Sequence, residues 1–263
     1  MRRLVPRVVA LVYLTLVLLG PLAMVFRRTF EHGLSPVWHS LSDPQTVHAF
    51  EVTLLVTAIA VPANTVFGIV AGMAIARGRF RGKGLLNAFV DLPLALSPVV
   101  VGLSLYLLYG RSGWFGAWLA RHDVQILFAW PAMALATIFA SVPFVAREVI
   151  PTLRELGDEQ EQAARTLGAS AWQTFRRITL PSIRWAVVYG VVLTTARSLG
   201  EYGAVAIVSG RIVGKTESAT LRVEDAYQNF DTTGAYAVAL VLAAIAVTVL
   251  VIMTLTRPKE ERI

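Results

Sequence analysis

Six long apolar runs divide the chain, and a shorter polar segment separates each run from the next. Each run is about 20 residues long, which is the length a helix needs to cross the hydrocarbon core of a bilayer. Strands of a soluble sheet would alternate in polarity or end after about four to eight residues. The pattern therefore predicts an all-α, polytopic membrane protein with six transmembrane helices. The runs are Val8–Phe26, Val52–Ala76, Leu85–Leu108, Ile126–Phe144, Trp185–Val208 and Gly234–Thr254.

The first run follows a basic segment, residues 1–7, as the apolar part of a signal peptide would. It is longer than such a segment usually is, and the bulky residues Arg27–Phe30 behind it offer no small-residue cleavage site. We therefore expect a retained first helix over residues 8–26 and core helices within 52–254. Together they would form a single transmembrane domain over residues 1–263.

Composition and charge agree with a membrane location. Only 16% of the residues are charged and 56% are hydrophobic, whereas a soluble domain carries about 25% charged residues. Of the 24 Lys and Arg residues, 16 fall on the side that holds both termini. By the positive-inside rule, both termini are then cytoplasmic. The net charge of +7 thus reflects orientation, and no nucleic-acid partner is expected. The absence of cysteine excludes disulfides, thiolate metal sites and cysteine nucleophiles.

Three ionisable residues lie inside the predicted spans. Arg197 and Glu201 are four residues apart in the fifth run, so they share a helix face. Because a charge inside a bilayer is costly, the pair indicates either an anion path or a structural ion pair within the bundle. Asp91 lies near the cytoplasmic end of the third run, where pairing with a loop arginine is the simpler interpretation.

The loop between the fourth and fifth runs, residues 145–184, is the longest polar stretch on the predicted cytoplasmic side. Acidic residues at its centre favour a helix start at residue 158, and Gly168 fits a left-handed helix end. Ser170 is a suitable cap for a second helix, whose Trp172 and Phe175 would share one face, and Leu180-Pro181 would end it. The pattern predicts two short helices, either a docking element or a plain amphipathic surface.

This loop resembles the EAA motif of bacterial ABC importer permeases, which runs Glu-Ala-Ala, three residues, Gly, nine residues, Ile-x-Leu-Pro. The chain matches its spacing throughout, with Gln162 in place of the motif's Glu and Glu161 beside it. The resemblance implies a type I ABC importer permease fold whose coupling helix sits in a cleft of an ATP-hydrolysing subunit. The residues that it assigns to coupling are Glu161, Gln162, Ala163, Ala164, Thr166, Leu167, Gly168, Ala169, Trp172, Ile178, Leu180 and Pro181.

Further segments resemble W-type permeases of sulfate/thiosulfate importers: residues 91–102, 142–148, 195–205 and 208–210. That resemblance implies a second, T-type permease, two copies of a cytoplasmic ABC ATPase, and a periplasmic or lipid-anchored sulfate-binding protein. ATP and Mg²⁺ would serve the ATPase, and this chain itself would bind no cofactor. The chain would lie in the bacterial inner membrane. Candidate residues of the substrate path are Ser97, Arg197, Glu201 and Tyr202. Molybdate and tungstate permeases share the Gly200–Ala204 element and remain the alternative.

Enzymatic and metal sites are not expected in this chain. Residues 210–216 and 78–83 each fall one residue short of a phosphate-binding loop, and neither follows a strand. The four histidines lack the spacing of metal ligands, and no catalytic constellation is present. The alternatives from other classes are an ATP-independent channel or secondary carrier, and a membrane scaffold without transport activity.

Overall fold

The computed structural model describes residues 15–256, together with residues 9, 12 and 13. The described chain is helical, and no strand occurs within it. A π-helical turn, Thr15–Leu19, leads into the first α-helix. In chain order the α-helices are α1 (Gly20–Phe30), α2 (Leu34–Ser42), α3 (Pro44–Arg77), α4 (Lys83–Ala95), α5 (Pro98–Tyr109), α6 (Gly116–Arg121), α7 (Trp130–Ser141), α8 (Pro143–Glu155), α9 (Glu159–Thr166), α10 (Ala171–Ser182), α11 (Arg184–Leu199), α12 (Gly203–Val208), α13 (Ala219–Gln228) and α14 (Thr232–Thr256).

Five of the six predicted spans have counterparts in the described residues, although only three are single spans. Helix α3, helices α7 and α8 together, and α14 are each long and apolar enough to cross a membrane. Two bent helix pairs raise the number to five if each pair counts as one span. The first predicted span, Val8–Phe26, lies partly outside the described residues, and its described part continues in α1 to Phe30.

The third predicted span, Leu85–Leu108, is wrong as a single straight helix. The structure has α4 and α5 instead, with an angle of 111° between them. Leu96 and Ser97 both have extended ψ angles, 139° and 135°. Pro98 causes the break because its ring disfavours a helical conformation in the preceding residue.

The fifth predicted span, Trp185–Val208, is also interrupted. Helix α11 ends at Leu199, and α12 begins at Gly203. The same α11 forms a bent pair with α10, at 69°. The length of this largely apolar run therefore concealed a break at residues 200–202.

The fourth predicted span, Ile126–Phe144, ended too early. Helix α8 continues to Glu155, eleven residues into the segment predicted as a loop. Its Val145, Val149 and Leu153 are all buried, which is the spacing of one helix face. Arg147 and Glu148 interrupt the apolar run without ending the helix, so the polar loop is reduced to residues 156–183.

The bundle is organised around α3, which packs against α7, α8, α11 and α13. Glycines allow the closest approaches. A Cβ atom on Gly68 of α3 would lie 2.5 Å from Val145 Cβ, and one on Gly190 of α11 would lie 2.6 Å from Val145 Cα. Small residues of this kind let membrane helices approach backbone to backbone. Asn64 adds a polar link, since its amide donates to Ser141 Oγ at 2.8 Å.

Candidate functional site

The loop between α8 and α11 folds into two helices, as predicted. Helix α9 ends in a left-handed turn at Gly168, with φ of +85°. Ser170 then caps α10 through a complete capping box, in which its side chain accepts from Gln173 N and the Gln173 side chain accepts from Ser170 N. Helix α10 continues one residue past the predicted Leu180-Pro181 end, to Ser182, and its middle part, Phe175–Thr179, is π-helical.

One side of this helix pair is open to solvent. Leu167 is 88% exposed and Trp172 is 66% exposed, although both are large and apolar. The exposed residues of the predicted coupling set are Gln162, Ala163, Thr166, Leu167, Gly168, Trp172 and Pro181. An exposed apolar patch with small neighbours is typical of a surface that receives a partner.

The opposite side of the pair faces the bundle. Ala164 is buried, and Ala169, Ile178 and Leu180 are partly buried. Glu161 also points inward, since its Oε1 accepts from Thr179 Oγ1 at 2.9 Å. Its Oε2 accepts from Arg77 Nε at 3.2 Å. The predicted coupling residues therefore divide into an outward set and an inward set that anchors the helices.

The two helix breaks meet inside the membrane domain. A Cβ atom on Gly203 would lie 2.8 Å from Pro98 Cβ, and one on Gly102 would lie 2.9 Å from Ala204 O. The break after α4 therefore packs directly against the break before α12. Ser97, which precedes Pro98, is exposed at this junction.

Arg197 and Glu201 form an ion pair beside this junction, with Arg197 Nη1 lying 2.6 Å from Glu201 Oε2. The Glu201 side chain is only 2% exposed, whereas that of Arg197 is 32% exposed. Glu201 also accepts from Ala204 N at 3.0 Å, at the start of α12, and its carbonyl accepts from Thr220 Oγ1 at 2.8 Å. Tyr202 is 38% exposed and its hydroxyl lies 3.5 Å from Arg211 Nη2. The buried carboxylate of Glu201 thus holds the helix break in place, and the Arg197 side chain remains partly exposed.

Asp91 pairs with an arginine, as the sequence indicated, and the structure shows that this arginine is Arg147. Arg147 Nε donates to Asp91 Oδ1 at 2.6 Å, and its Nη2 donates to Oδ2. This bidentate pair joins α4 to α8. Sequence reasoning missed Arg77, which lies 84 residues from Glu161, because no local spacing connects them. In the described part of the chain, no cluster of three metal-ligating side chains occurs.

The fold and the site define a polytopic membrane protein with broken helices in its membrane domain and an exposed apolar surface on the helix pair α9 and α10. Residues 64–261 match the family of binding-protein-dependent transport system inner membrane components, and the chain belongs to that family.

Two curated relatives cover nearly the whole chain. A sulfate transport system permease protein CysW from Synechococcus elongatus is 52% identical, covering 97% of this chain and 89% of the relative. A sulfate transport system permease protein CysT from Escherichia coli (strain K12) is 42% identical, covering 89% of this chain and 85% of the relative. Among solved structures, a bacterial ABC transporter involved in the import of the acidic polysaccharide alginate matches with a TM-score of 0.78 and 17% identity. The match covers 93% of this chain and 91% of that chain. A second structure of a bacterial alginate transporter, in complex with a pentasaccharide-bound periplasmic protein, matches with a TM-score of 0.77, 18% identity and coverage of 96% and 91%. The structural likeness shows the fold.

Proposed function

We propose that this chain is the sulfate-translocating permease subunit of an ATP-driven importer of the bacterial inner membrane. Identity to sulfate permeases over nearly the whole chain supports the substrate, and it favours sulfate over molybdate. The outward surface of α9 and α10 is the observation that carries the coupling role, because Leu167 and Trp172 are exposed there on a capped, ordered helix pair.

The importer contains a second, homologous permease of the T type, and relatives of both permease types support that pairing. Two copies of a cytoplasmic ATPase dock on the outward surface of α9 and α10 and on its counterpart. ATP and Mg²⁺ bind those subunits and not this chain. A sulfate-binding protein delivers sulfate from the outside, as the periplasmic protein in the alginate complex suggests by analogy. Both termini then lie in the cytoplasm.

ATP-driven closure of the ATPases moves α9 and α10, and the attached bundle alternates between inward-facing and outward-facing states. A change from 1:99 to 99:1 between two states requires about 5.5 kcal/mol of differential binding. A docking element joined to the bundle can deliver such a difference, and the structure joins them where Arg77 at the end of α3 donates to Glu161 of α9.

The junction of the two helix breaks is the proposed path. Ser97, Arg197 and Tyr202 each retain an exposed side there, so they are available to a passing oxyanion. Glu201 is nearly fully buried and shapes the path by holding Arg197. Arg197→Gln is expected to lower sulfate uptake at least tenfold while the complex still assembles, since the permeating anion loses its cation. Unchanged uptake would remove Arg197 from the path.

Reconstitution tests the whole proposal. The chain, its partner permease, the ATPase and the binding protein are placed in vesicles, and uptake of labelled sulfate is measured with and without ATP. We expect uptake that requires ATP and the binding protein. Uptake by the chain alone, indifferent to ATP, would indicate a channel or carrier and contradict the importer function. Preference for molybdate over sulfate would contradict the substrate assignment alone.

A further inference from the structure

The guanidinium of Arg77 joins three separate parts of the chain. Arg77 is the last residue of α3, and it donates to Leu153 O near the end of α8 at 2.6 Å. It also donates to Gly157 O in the segment before α9 and to the Glu161 carboxylate within α9. The side chains of Arg77 and Glu161 are only 22% and 13% exposed. A planar guanidinium with five N–H donors can bridge such a set, and an ammonium on a flexible stem matches it poorly.

Glu161 is occupied on both oxygens by its own chain. Oε2 accepts from Arg77, and Oε1 accepts from Thr179 Oγ1, a buried side chain of α10. The Glu161 carboxylate is therefore turned away from the outward surface, where Gln162 stands at the motif position of the Glu. The Glu161 carboxylate links α9 to Arg77 of α3 and to Thr179 of α10, and it is not free to pair with an ATPase.

Few apolar contacts would otherwise hold α9 in place. The helix is eight residues long, and Ala164 is its one buried residue. An isolated helix of this length is marginal in water. Its position relative to the bundle therefore depends on polar contacts, and the network of Arg77, Glu161 and Thr179 supplies them.

The far end of α3 contacts the opposite side of the membrane domain. Thr53 Oγ1 accepts from Ala219 N at 2.8 Å, and Asp43 Oδ2 accepts from Arg222 Nη2 at 3.0 Å. The contacted helix, α13, includes Thr220, which donates to the carbonyl of Glu201. Helix α3 is thus fixed to the coupling helices at one end and reaches the proposed path at the other.

We propose that Arg77 is a positioning residue that makes α9 and α10 move as one body with α3. This inference rests on the proposed function, because it identifies how movement at the ATPase surface reaches the membrane domain. Without the bridge, α9 and α10 still bind the ATPase and the ATPase still hydrolyses ATP. The two helices then move relative to α3, and the membrane domain does not follow.

The ratio of ATP hydrolysed to sulfate transported tests this inference. Both rates are measured in the same vesicles for the wild-type complex, Arg77→Gln, Glu161→Gln and the double variant. Arg79→Gln is the matched control, since Arg79 is exposed in the turn that follows. We expect uptake to fall about tenfold or more with Arg77→Gln while hydrolysis is retained, and the double variant to be no worse than Arg77→Gln alone, because both changes remove one bridge. Arg77→Lys should restore uptake only partly.

Three outcomes would overturn the inference. They are a normal ratio in Arg77→Gln, a parallel loss of uptake and hydrolysis, and an equal effect of Arg79→Gln. A wild-type complex that takes up no sulfate would overturn the proposed function instead.

A distance measurement decides the inference independently of substrate. This chain has no cysteine, so spin labels at Val70→Cys and Gln160→Cys, both exposed positions, report on α3 and α9 without background labelling from the chain itself. We expect a narrow distance distribution in the otherwise wild-type complex, a clearly broader one with Arg77→Gln, and no change with Arg79→Gln. Identical distributions with and without Arg77 would contradict the inference.

Discussion

Overpacking at Gly68 is the sharpest test of the helix packing. In Gly68→Ala the new Cβ would lie 2.5 Å from Val145 Cβ and 2.9 Å from Ala146 N, where ordinary contact begins at 3.4 Å. Val145 has little room to retreat, because it is fully buried and also packs closely against Gly190 of α11. The backbones of α3 and α8 must then separate, and overpacking of a close-packed interior costs roughly 1–3 kcal/mol. We expect a value near the upper end, about 3 kcal/mol, because one clashing atom belongs to the backbone.

Gly84→Ala is the matched control, since a Cβ atom there meets nothing within 4 Å. Helix propensity raises its stability by up to about 1 kcal/mol. The assay is reversible unfolding of the detergent-solubilised chain by titration with a denaturing detergent. A combined Gly68→Ala and Gly190→Ala variant should lose more than the sum of the two single losses, because Val145 is then pressed by both neighbouring helices and can yield to neither. Equal stability of Gly68→Ala and Gly84→Ala would refute the close packing of α3, α8 and α11.

Three further predictions concern an ion pair, the end of a helix and a buried carboxyl group. Asp91→Asn and Arg147→Gln should each lower the free energy of unfolding by about 1 kcal/mol, because the pair is partly exposed. The double variant should lose no more than either single variant, and additive losses in the same titration would contradict the pairing. Gly168→Ala should weaken co-purification of the ATPase, since φ of +85° costs a residue with a Cβ about 1–2 kcal/mol; unchanged co-purification would contradict the need for this turn. Burial raises the pKa of the Glu217 carboxyl above its usual 4.5, while nearby Arg222 acts in the opposite direction. The folded chain therefore holds this proton more tightly, and its contribution to stability is lost as pH rises from about 4.5 through the higher folded pKa. In Glu217→Gln the free energy of unfolding should vary less with pH in this range. An unaltered pH dependence of the free energy would contradict the raised pKa of Glu217.

The apolar runs located the membrane segments because crossing a bilayer requires a length of apolar sequence that nothing else in the chain provides. They could not reveal the breaks at residues 96–97 and 200–202. Pro98 is a local signal for the bend before α5, but its packing partner Gly203 lies more than a hundred residues further along the chain. Hydropathy also ended the fourth span too early, because the buried face of α8 continues past Arg147 and Glu148.

Helices α9 and α10 were predictable because their signals are local. Gly168 and Ser170 act on their own turns, so neither needs knowledge of the rest of the fold. Which residues face inward was not predictable, because the partner of Glu161 lies at the end of α3 and the partner of Asp91 lies on α8. The resemblance grouped Glu161 with the coupling residues, whereas the structure separates it from the exposed surface that they form.

Cysteine cross-linking to the ATPase tests the docking surface most directly. Single cysteines at Ala163 and Leu167 lie on the exposed side of the helix pair, and single cysteines at Ala164 and Thr179 lie on the buried side. In the reconstituted complex, with a short bifunctional reagent, the account predicts strong cross-linking to the ATPase from the exposed pair and little from the buried pair. Equal cross-linking from both sides, or none from Ala163 and Leu167 in a complex that transports sulfate, would contradict it.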